Sequence, residues 1–259
     1  MDAIDLNCDM GESFGAWKMG SDKEMLAIVT SANVACGFHG GDPLVMFETL
    51  AGAKEKGVGV GAHPGFLDLW GFGRRAFQGE KPEDIMKMVV YQLGALAGVA
   101  RAQGVPLRHV KPHGSLQNLA AVDRAVARAV GGAIAAFDPS LIYVVQAGTE
   151  LEKAALEQGL PLAREIYADR GYDEDGTLLS RRLPGALLHD PEEACERVLA
   201  MVREGAVITV SGKRIPVGIE TVCVHGDNPA AVRLAERVRE RLEGAGIALR
   251  PMTPAPAFS

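Results

Sequence analysis

Short apolar runs rich in β-branched residues alternate along the chain with longer segments whose apolar positions recur every three or four residues. This is the pattern of βα units around a parallel sheet. Seven strands are predicted: Ile4–Asp9, Asn33–Gly37, Val58–Ala62, Arg108–His113, Leu141–Gln146, Leu162–Ala168 and Thr221–His225. Their apolar character predicts burial on both faces. The clearest helix follows Lys81, where Pro82 suits a first helical position and Glu83 and Asp84 meet the positive end of the dipole. Ile85, Met88, Val89, Leu93, Leu96, Val99 and Ala100 then form one apolar stripe that stops at Gly104. Further helices are predicted over Asp42–Lys56, Asp123–Phe137, Glu150–Gln158, Pro191–Arg203 and Pro229–Glu243. Ala206–Gly218 departs from the alternation and reads as a hairpin around Ser211-Gly212-Lys213-Arg214. No Pro-, Ser- or Gly-rich linker and no internal repeat divides the chain, so residues 1–259 read as a single α/β domain with a hairpin excursion near 206–218 and a frayed tail, MTPAPAFS. Seven such units fit a TIM-like (β/α) barrel, and an open doubly wound sheet shows the same alternation.

Composition narrows the classes. In 259 residues, 47% are hydrophobic and 23% charged, which suits a globular chain with a sizeable core and excludes a disordered one. Lys+Arg of 27 against Asp+Glu of 33 gives a net charge of −6, without the basic footprint of a nucleic-acid binder. Cys8, Cys36, Cys195 and Cys223 lie far apart with no CxxC pair, as expected of reduced thiols. The start MDAIDLNCDMGE lacks the basic and apolar regions of a secretory signal, and charges, Gly or Pro break every long apolar stretch. The expectation is a cytoplasmic protein with no membrane partner.

Polar residues gather where the predicted strands end. The first strand runs into Asn7, Asp9 and Glu12, the second into His39 and Asp42, the third into His63, and the fourth into Lys111 and His113. The sixth runs into Asp169 and Arg170, and the seventh into His225 and Asp227. Four of six histidines thus fall at carboxyl ends of strands, where the loops of such folds build active sites, with His109 and His189 as exceptions. A lone histidine is more simply a hydrogen-bonded structural residue; convergence with Asp9 and Lys111 argues for a shared site. Such a cluster is open to three chemistries. Asp9 with His39, His63, His113 or His225 could hold a divalent metal assembled from separate strands, although no HExxH-like motif is present. Imidazoles and carboxylates could serve as general acid and base without metal, with Lys111 stabilising a developing oxyanion, and this is the preferred expectation. Cys8, Cys36 or Cys223 could act as a nucleophile, but their apolar contexts fit inert buried thiols better. Arg74 and Arg75 of GFGRR could grip a carboxylate or phosphate, or simply form surface ion pairs. The charges from Arg233 to Glu243 read as a solvated helix face.

The segments DLNCDMGESFG, SANVACGFHGGDP, GVGVGAHPGFLDLWGFGRR, RHVKPHGSLQN, ADRGY and CVHGDNP occur in this order between Ile4 and Pro229. Together they resemble the LamB/YcsF family of prokaryotic 5-oxoprolinase A subunits across nearly the whole chain. The resemblance implies a barrel similar to the glycoside hydrolase/deacetylase superfamily. It also implies ATP-dependent opening of 5-oxo-L-proline to L-glutamate, with partner subunits B and C. Asp9, His39, Asp42, His63, Lys111, His113, Asp169, Arg170, His225 and Asp227 match the family's motifs. Cys8 and Gly40 stand where alanine is common, and Gln117 stands in place of a tyrosine. The match does not fix individual roles; if partner subunits help to phosphorylate the lactam oxygen and this chain directs water onto the activated carbon, Asp9 is the first candidate base, His63 and His113 transfer or orient protons beside His39, and Lys111 stabilises charge. Arg74 or Arg170 takes the substrate carboxylate, among substrate-side residues Asn7, Glu12, Asp169, His225 and Asp227. Ser211-Gly212-Lys213-Arg214 lacks the GxxxxGK[ST] pattern, so ATP is expected to be bound with the partner subunits. Two rival readings stand beside this one: a metal-dependent deacetylase or carbohydrate-active hydrolase, and a non-catalytic regulatory subunit that binds a small acid.

Overall fold

The computed structural model describes residues 2–77, 79–180, 182–188, 190–226 and 229–255. His189 and Asp227 lie outside them. In chain order the elements are β1 (Ala3–Met10), α1 (Asp22–Leu26), β2 (Ser31–Ala35), α2 (Pro43–Lys56), β3 (Gly59–His63), α3 (Pro82–Gln103), β4 (Leu107–Val110), α4 (Gly114–Val122) and α5 (Arg124–Phe137). They continue with β5 (Ile142–Gln146), α6 (Glu150–Glu157), β6 (Leu162–Tyr167), α7 (Pro191–Glu204), β7 (Ala206–Ile208), β8 (Arg214–Pro216), β9 (Thr221–Cys223), α8 (Pro229–Gly244) and β10 (Ala248–Leu249). Strands β1-β2-β3-β4-β5-β6-β9 pair in parallel in that order, and β9 pairs back onto β1. The result is a closed barrel of seven parallel strands, which decides against the open doubly wound sheet. β10 lies parallel to Ala3 and Ile4 at the start of β1. β7 and β8 form the antiparallel hairpin expected near 206–218.

The barrel strands are buried on both faces as expected, but the inward faces of several are polar rather than apolar. β1 alternates: Leu6, Cys8 and Met10 join the core shared with Ile85, Val89, Leu93 and Leu96 of α3, whereas Asp5, Asn7 and Asp9 point into the barrel. Asp5 accepts hydrogen bonds from Thr30 Oγ1 (2.8 Å), Ser31 Oγ (2.6 Å) and Thr221 Oγ1 (2.5 Å). Asn7 donates to Glu165 Oε1 (3.0 Å) and Thr221 Oγ1 (2.6 Å) and accepts from Asn33 Nδ2 (2.7 Å). His109 Nε2 bonds Asn33 Oδ1 at 2.7 Å and fills the space over Gly61, where a Cβ would collide with the imidazole. The barrel interior is therefore a polar network. Its amino end closes on a small apolar cluster of Ile142, Val144, Ala163 and Met252. Met252 is buried and Ala255 N donates to Leu162 O at 2.7 Å, so the start of the tail is packed rather than frayed.

Three strands sit two or more residues from their predicted bounds, β9 ending at Cys223 rather than His225. β2 lies two residues earlier, and β4 ends at Val110 because Pro112 has no N–H for the ladder. The chain nevertheless continues beside β3, since Lys111 N donates to Ala62 O (2.9 Å) and His113 N to Pro64 O (2.8 Å). Lys111 and His113 therefore stay on the barrel rim. α1 and α4 have no counterpart among the predicted helices. α3 has the length and apolar composition to cross a membrane by those criteria alone, with Ile85, Val89, Leu93 and Leu96 buried in the core.

Candidate active site at the carboxyl end of the barrel

Asp9, at the end of β1, is the hub. Its Oδ1 meets Lys111 Nζ at 3.0 Å and Asn33 Nδ2 at 2.9 Å, and its Oδ2 lies 3.3 Å from His63 Nε2. Burial disfavours a charged Asp9, but His63 and Lys111 outweigh it and hold the carboxyl well below its usual range. Lys111 also reaches Glu165 Oε1 at 2.9 Å, contacts Cys223 Sγ at 3.1 Å, and lies 5.2 Å from the centre of the Tyr167 ring. Burial opposes its charge, yet Asp9 and Glu165 raise the ammonium pKa well above normal. The ammonium is shared between two carboxylates.

A second cluster lies beside the first. Glu12 Oε1 is 3.1 Å from His39 Nε2, 3.4 Å from His113 Nδ1 and 4.0 Å from His63 Nε2. His63 Nδ1 donates to Lys111 O at 2.7 Å and His113 Nε2 donates to Phe72 O at 2.8 Å. These bonds leave His63 Nε2 and His113 Nδ1 facing each other at 2.9 Å. His39 stacks on His113 with ring centroids 3.6 Å apart and planes 2° apart. Desolvation, reinforced by neighbouring imidazoles, pushes the His39 and His113 pKa values well down, while burial raises that of Glu12. The loop over this cluster is tightly built. Phe72 has φ +53°, the one positive value at a non-glycine among the described residues. Gly73 has φ +61°, and a Cβ on it would come within 2.8 Å of both His113 and His39.

A third pair completes the rim. His225 Nδ1 lies 2.8 Å from Asp169 Oδ2. Burial works against both charges, but each partner outweighs it for the other, so the His225 pKa is raised and that of Asp169 lowered. The pairing favours the protonated form of the histidine.

These groups border a cavity of about 440 Å³, within the range of small-molecule sites. Asp9, Arg74, His113, Arg170 and His225 line it, joined by Gln117, Gln146 and Tyr167. A narrow chamber of about 50 Å³ adjoins it, bounded by Asp9, Glu12, Phe72, Arg74 and His225. Asn7, His39, His63 and Lys111 are buried behind these walls, and Asp169 reaches the cavity through His225. Lys111 is therefore placed to hold Asp9 rather than to touch a substrate.

Some candidates have other duties. Asp42 is the N-cap of α2, where Oδ1 accepts from Leu44 N and Val45 N, and its Oδ2 accepts from Gly15 N. Arg75 pairs with the buried Asp68 and fastens its own loop, so the surface ion-pair reading holds for it, whereas Arg74 lines the cavity. Arg170 Nε and Nη2 donate to Ala186 O (3.2 Å) and Leu179 O (2.8 Å). All four cysteines are free and buried; burial pushes Cys36 up to about 12 and Cys195 to about 11, and Cys8 and Cys223 well up as well. Glu165 and Tyr167 are absent from the candidates that the sequence singles out. They sit inside β6, in a run that reads as apolar, although Glu165, Tyr167 and Asp169 keep the two-residue spacing of one strand face.

Fold and site together define a closed parallel α/β barrel with a buried cluster of carboxylates, imidazoles and one lysine at the carboxyl ends of its strands. The LamB/YcsF family profile matches residues 4–257, and the chain belongs to that family. It is 53% identical over 248 residues to the 5-oxoprolinase A subunit of Rhodopseudomonas palustris, covering 96% of this chain and 98% of that protein. The crystal structure of a lactam utilization protein from Thermus thermophilus matches with a TM-score of 0.92 at 47% identity, covering 96% of this chain and all of that one. The catalytic domain of a peptidoglycan N-acetylglucosamine deacetylase from Eubacterium rectale shares the fold alone, with a TM-score of 0.52 at 13% identity over 97% of this chain and 89% of that one.

Proposed function

We propose that this chain is the A subunit of a multi-subunit 5-oxoprolinase and that its barrel site opens 5-oxo-L-proline to L-glutamate, coupled to ATP hydrolysis with partner subunits B and C. The observation that carries the reading is Asp9: a carboxylate held charged by Lys111 at 3.0 Å and His63 at 3.3 Å, on the wall of a cavity of about 440 Å³. The relatives' names point to the same substrate class.

The chemistry is demanding because amide resonance makes a lactam carbonyl a poor electrophile. Transfer of the ATP γ-phosphoryl group to the lactam oxygen, with partner subunits supplying the nucleotide site, makes the ring carbon reactive. A carboxylate held as low as Asp9 is a weak base, so activation has to come first; the activated carbon then needs only an oriented water. Water adds to that carbon and its proton passes to Asp9. The carbon–nitrogen bond must next break in preference to the carbon–oxygen bond, which requires the ring nitrogen to gain a proton as it leaves. His225, whose protonated form Asp169 favours and which faces the cavity, supplies it and takes up the hydroxyl proton as the carbonyl re-forms. The resulting acyl phosphate is hydrolysed by a second water to L-glutamate and phosphate. Arg74 on the cavity wall takes the substrate carboxylate. Lys111 and Glu165 hold Asp9 in place from behind.

Reconstitution with subunits B and C tests this, with ADP and glutamate followed together. The expected result is equimolar release that requires this chain. Equal release without this chain, or ADP without glutamate, would overturn the reading.

A further inference from the structure

We propose that Glu12, His63 and His113 form a binding site for one divalent first-row transition metal ion, with a nitrogen- and oxygen-rich donor set of the zinc type. The argument begins with hydrogen positions. His63 spends its Nδ1–H on Lys111 O and His113 spends its Nε2–H on Phe72 O. Each ring then turns its other nitrogen toward its neighbour at 2.9 Å, and two lone pairs at that distance need a cation between them, a proton or a metal ion, either of which supplies positive charge beside Asp9. Backbone carbonyls that fix the tautomer of an imidazole from behind are the usual support of a metal-binding histidine. Here two different loops provide them, and one does so from Phe72, which is held at φ +53°.

The donor atoms lie close enough together to take a metal. With bonds of about 2.0–2.2 Å, tetrahedral coordination places donor atoms about 3.3–3.5 Å apart. Glu12 Oε1, His63 Nε2 and His113 Nδ1 are separated by 2.9, 3.4 and 4.0 Å, which brackets that value. Asp9 Oδ2 stands 3.3 Å from His63 Nε2, at the edge of the same sphere. The adjoining chamber of about 50 Å³, bounded by Asp9 and Glu12, has room for a water in the remaining position. His39 is excluded as a ligand. Its ring is parallel to that of His113 within 2° at 3.6 Å, so the in-plane lone pairs of the two rings cannot converge on one ion. Its Nε2 instead lies 3.1 Å from Glu12 Oε1, where it orients the carboxylate. This assignment revises the metal-free expectation drawn from the sequence. It leaves Asp9 and His225 to the ring-opening steps, and only its use in those steps rests on that reading.

The test is a Co²⁺ titration of the full chain after chelator treatment, read by the visible d–d absorption of the ion. One equivalent should bind with tetrahedral intensity and without a sulfur-to-metal charge-transfer band. Glu12→Gln and His113→Gln should each weaken binding by about tenfold or more, with circular dichroism confirming the fold. If His113→Gln does not fold, Glu12→Gln carries the test, because the contacts of its side chain are to imidazoles. Three outcomes would overturn the site: no uptake of Co²⁺, with one proton shared by His63 and His113 in the imidazole ¹⁵N resonances; uptake undiminished in Glu12→Gln; or a sulfur band lost in Cys223→Ser, which would put the ion at Asp9, Cys223 and His225. Binding is read on this chain alone, so failure here leaves the ring-opening reading standing, and failure of glutamate release in the reconstituted complex leaves the metal site standing.

Discussion

Asp5 and Asp9 sit four residues apart on one face of one strand, and their carboxyls behave in opposite ways. Asp5, near the closed amino end, is 1% exposed, and its partners are the hydroxyls of Ser31, Thr221 and Thr30. Burial pushes its pKa up to about 6, because neutral donors satisfy its oxygens without stabilising charge as fully as water does. Asp9, at the open carboxyl end, is also shielded from bulk water but faces Lys111 and His63, and it stays ionised. Burial is common to both, and the charge of the neighbours decides the outcome. One end of the interior is framework, and the other holds the candidate site.

The contrast breaks most severely at Lys111. Lys111→Met would leave Asp9 and Glu165 buried without their shared cation, and stability should fall by about 3–5 kcal/mol in denaturant unfolding. A loss near zero would mean that the cation does not hold these two carboxylates together. Next is Asp5. Its folded pKa of about 6 lies above the unfolded value near 3.8, so the folded state binds the proton more tightly. The associated stability is fully present below pH 3.8 and is lost as pH rises through 6. In Asp5→Asn that pH dependence disappears: the stability difference between mutant and wild type should move in the mutant's favour by up to about 3 kcal/mol between about pH 4 and 7. A difference that stays constant with pH would show that Asp5 does not titrate in this window. The smallest effects lie at the rim. Arg74→Ala should raise KM for 5-oxoproline about tenfold with little change in unfolding, as expected for a charge-assisted contact to a carboxylate. Arg75→Ala should leave KM unchanged and make the 68–75 loop easier to cleave with protease. Equal effects of the two on KM would remove the distinction between them.

The same contrast explains what is legible in the sequence. Helical stripes and β-branched runs reveal the seven barrel strands, because outward faces such as Leu6, Cys8 and Met10 pack against helices and carry the apolar signal. Ring closure of β9 onto β1 leaves no local mark, so a barrel and an open sheet look alike. Inward faces are harder to read. Asp5-Leu6-Asn7-Cys8-Asp9-Met10 is a plain two-residue alternation, which contradicts a strand buried between two apolar layers. Overlooking that period also hides Glu165 and Tyr167 inside β6. Residues just beyond strand ends are easier: Glu12, His39, His63, His113 and His225 all lie at one mouth, because loops at that end have room for polar side chains. Asp42 joins the same set by its position, but the backbone of α2 claims it as a cap. Pairing decides between Arg74 and Arg75, and pairing depends on where Asp68 falls in space.

The most direct test compares Asp9→Asn with Asp5→Asn in the reconstituted complex, by the rate of glutamate release from 5-oxoproline and ATP. Asp9→Asn should lose about 10²-fold or more while remaining folded, as expected when a proton-accepting group is removed, and Asp5→Asn should stay within about threefold of wild type. Near-normal release by folded Asp9→Asn, or an equal loss in both variants, would contradict the assignment of chemistry to the open end of the barrel.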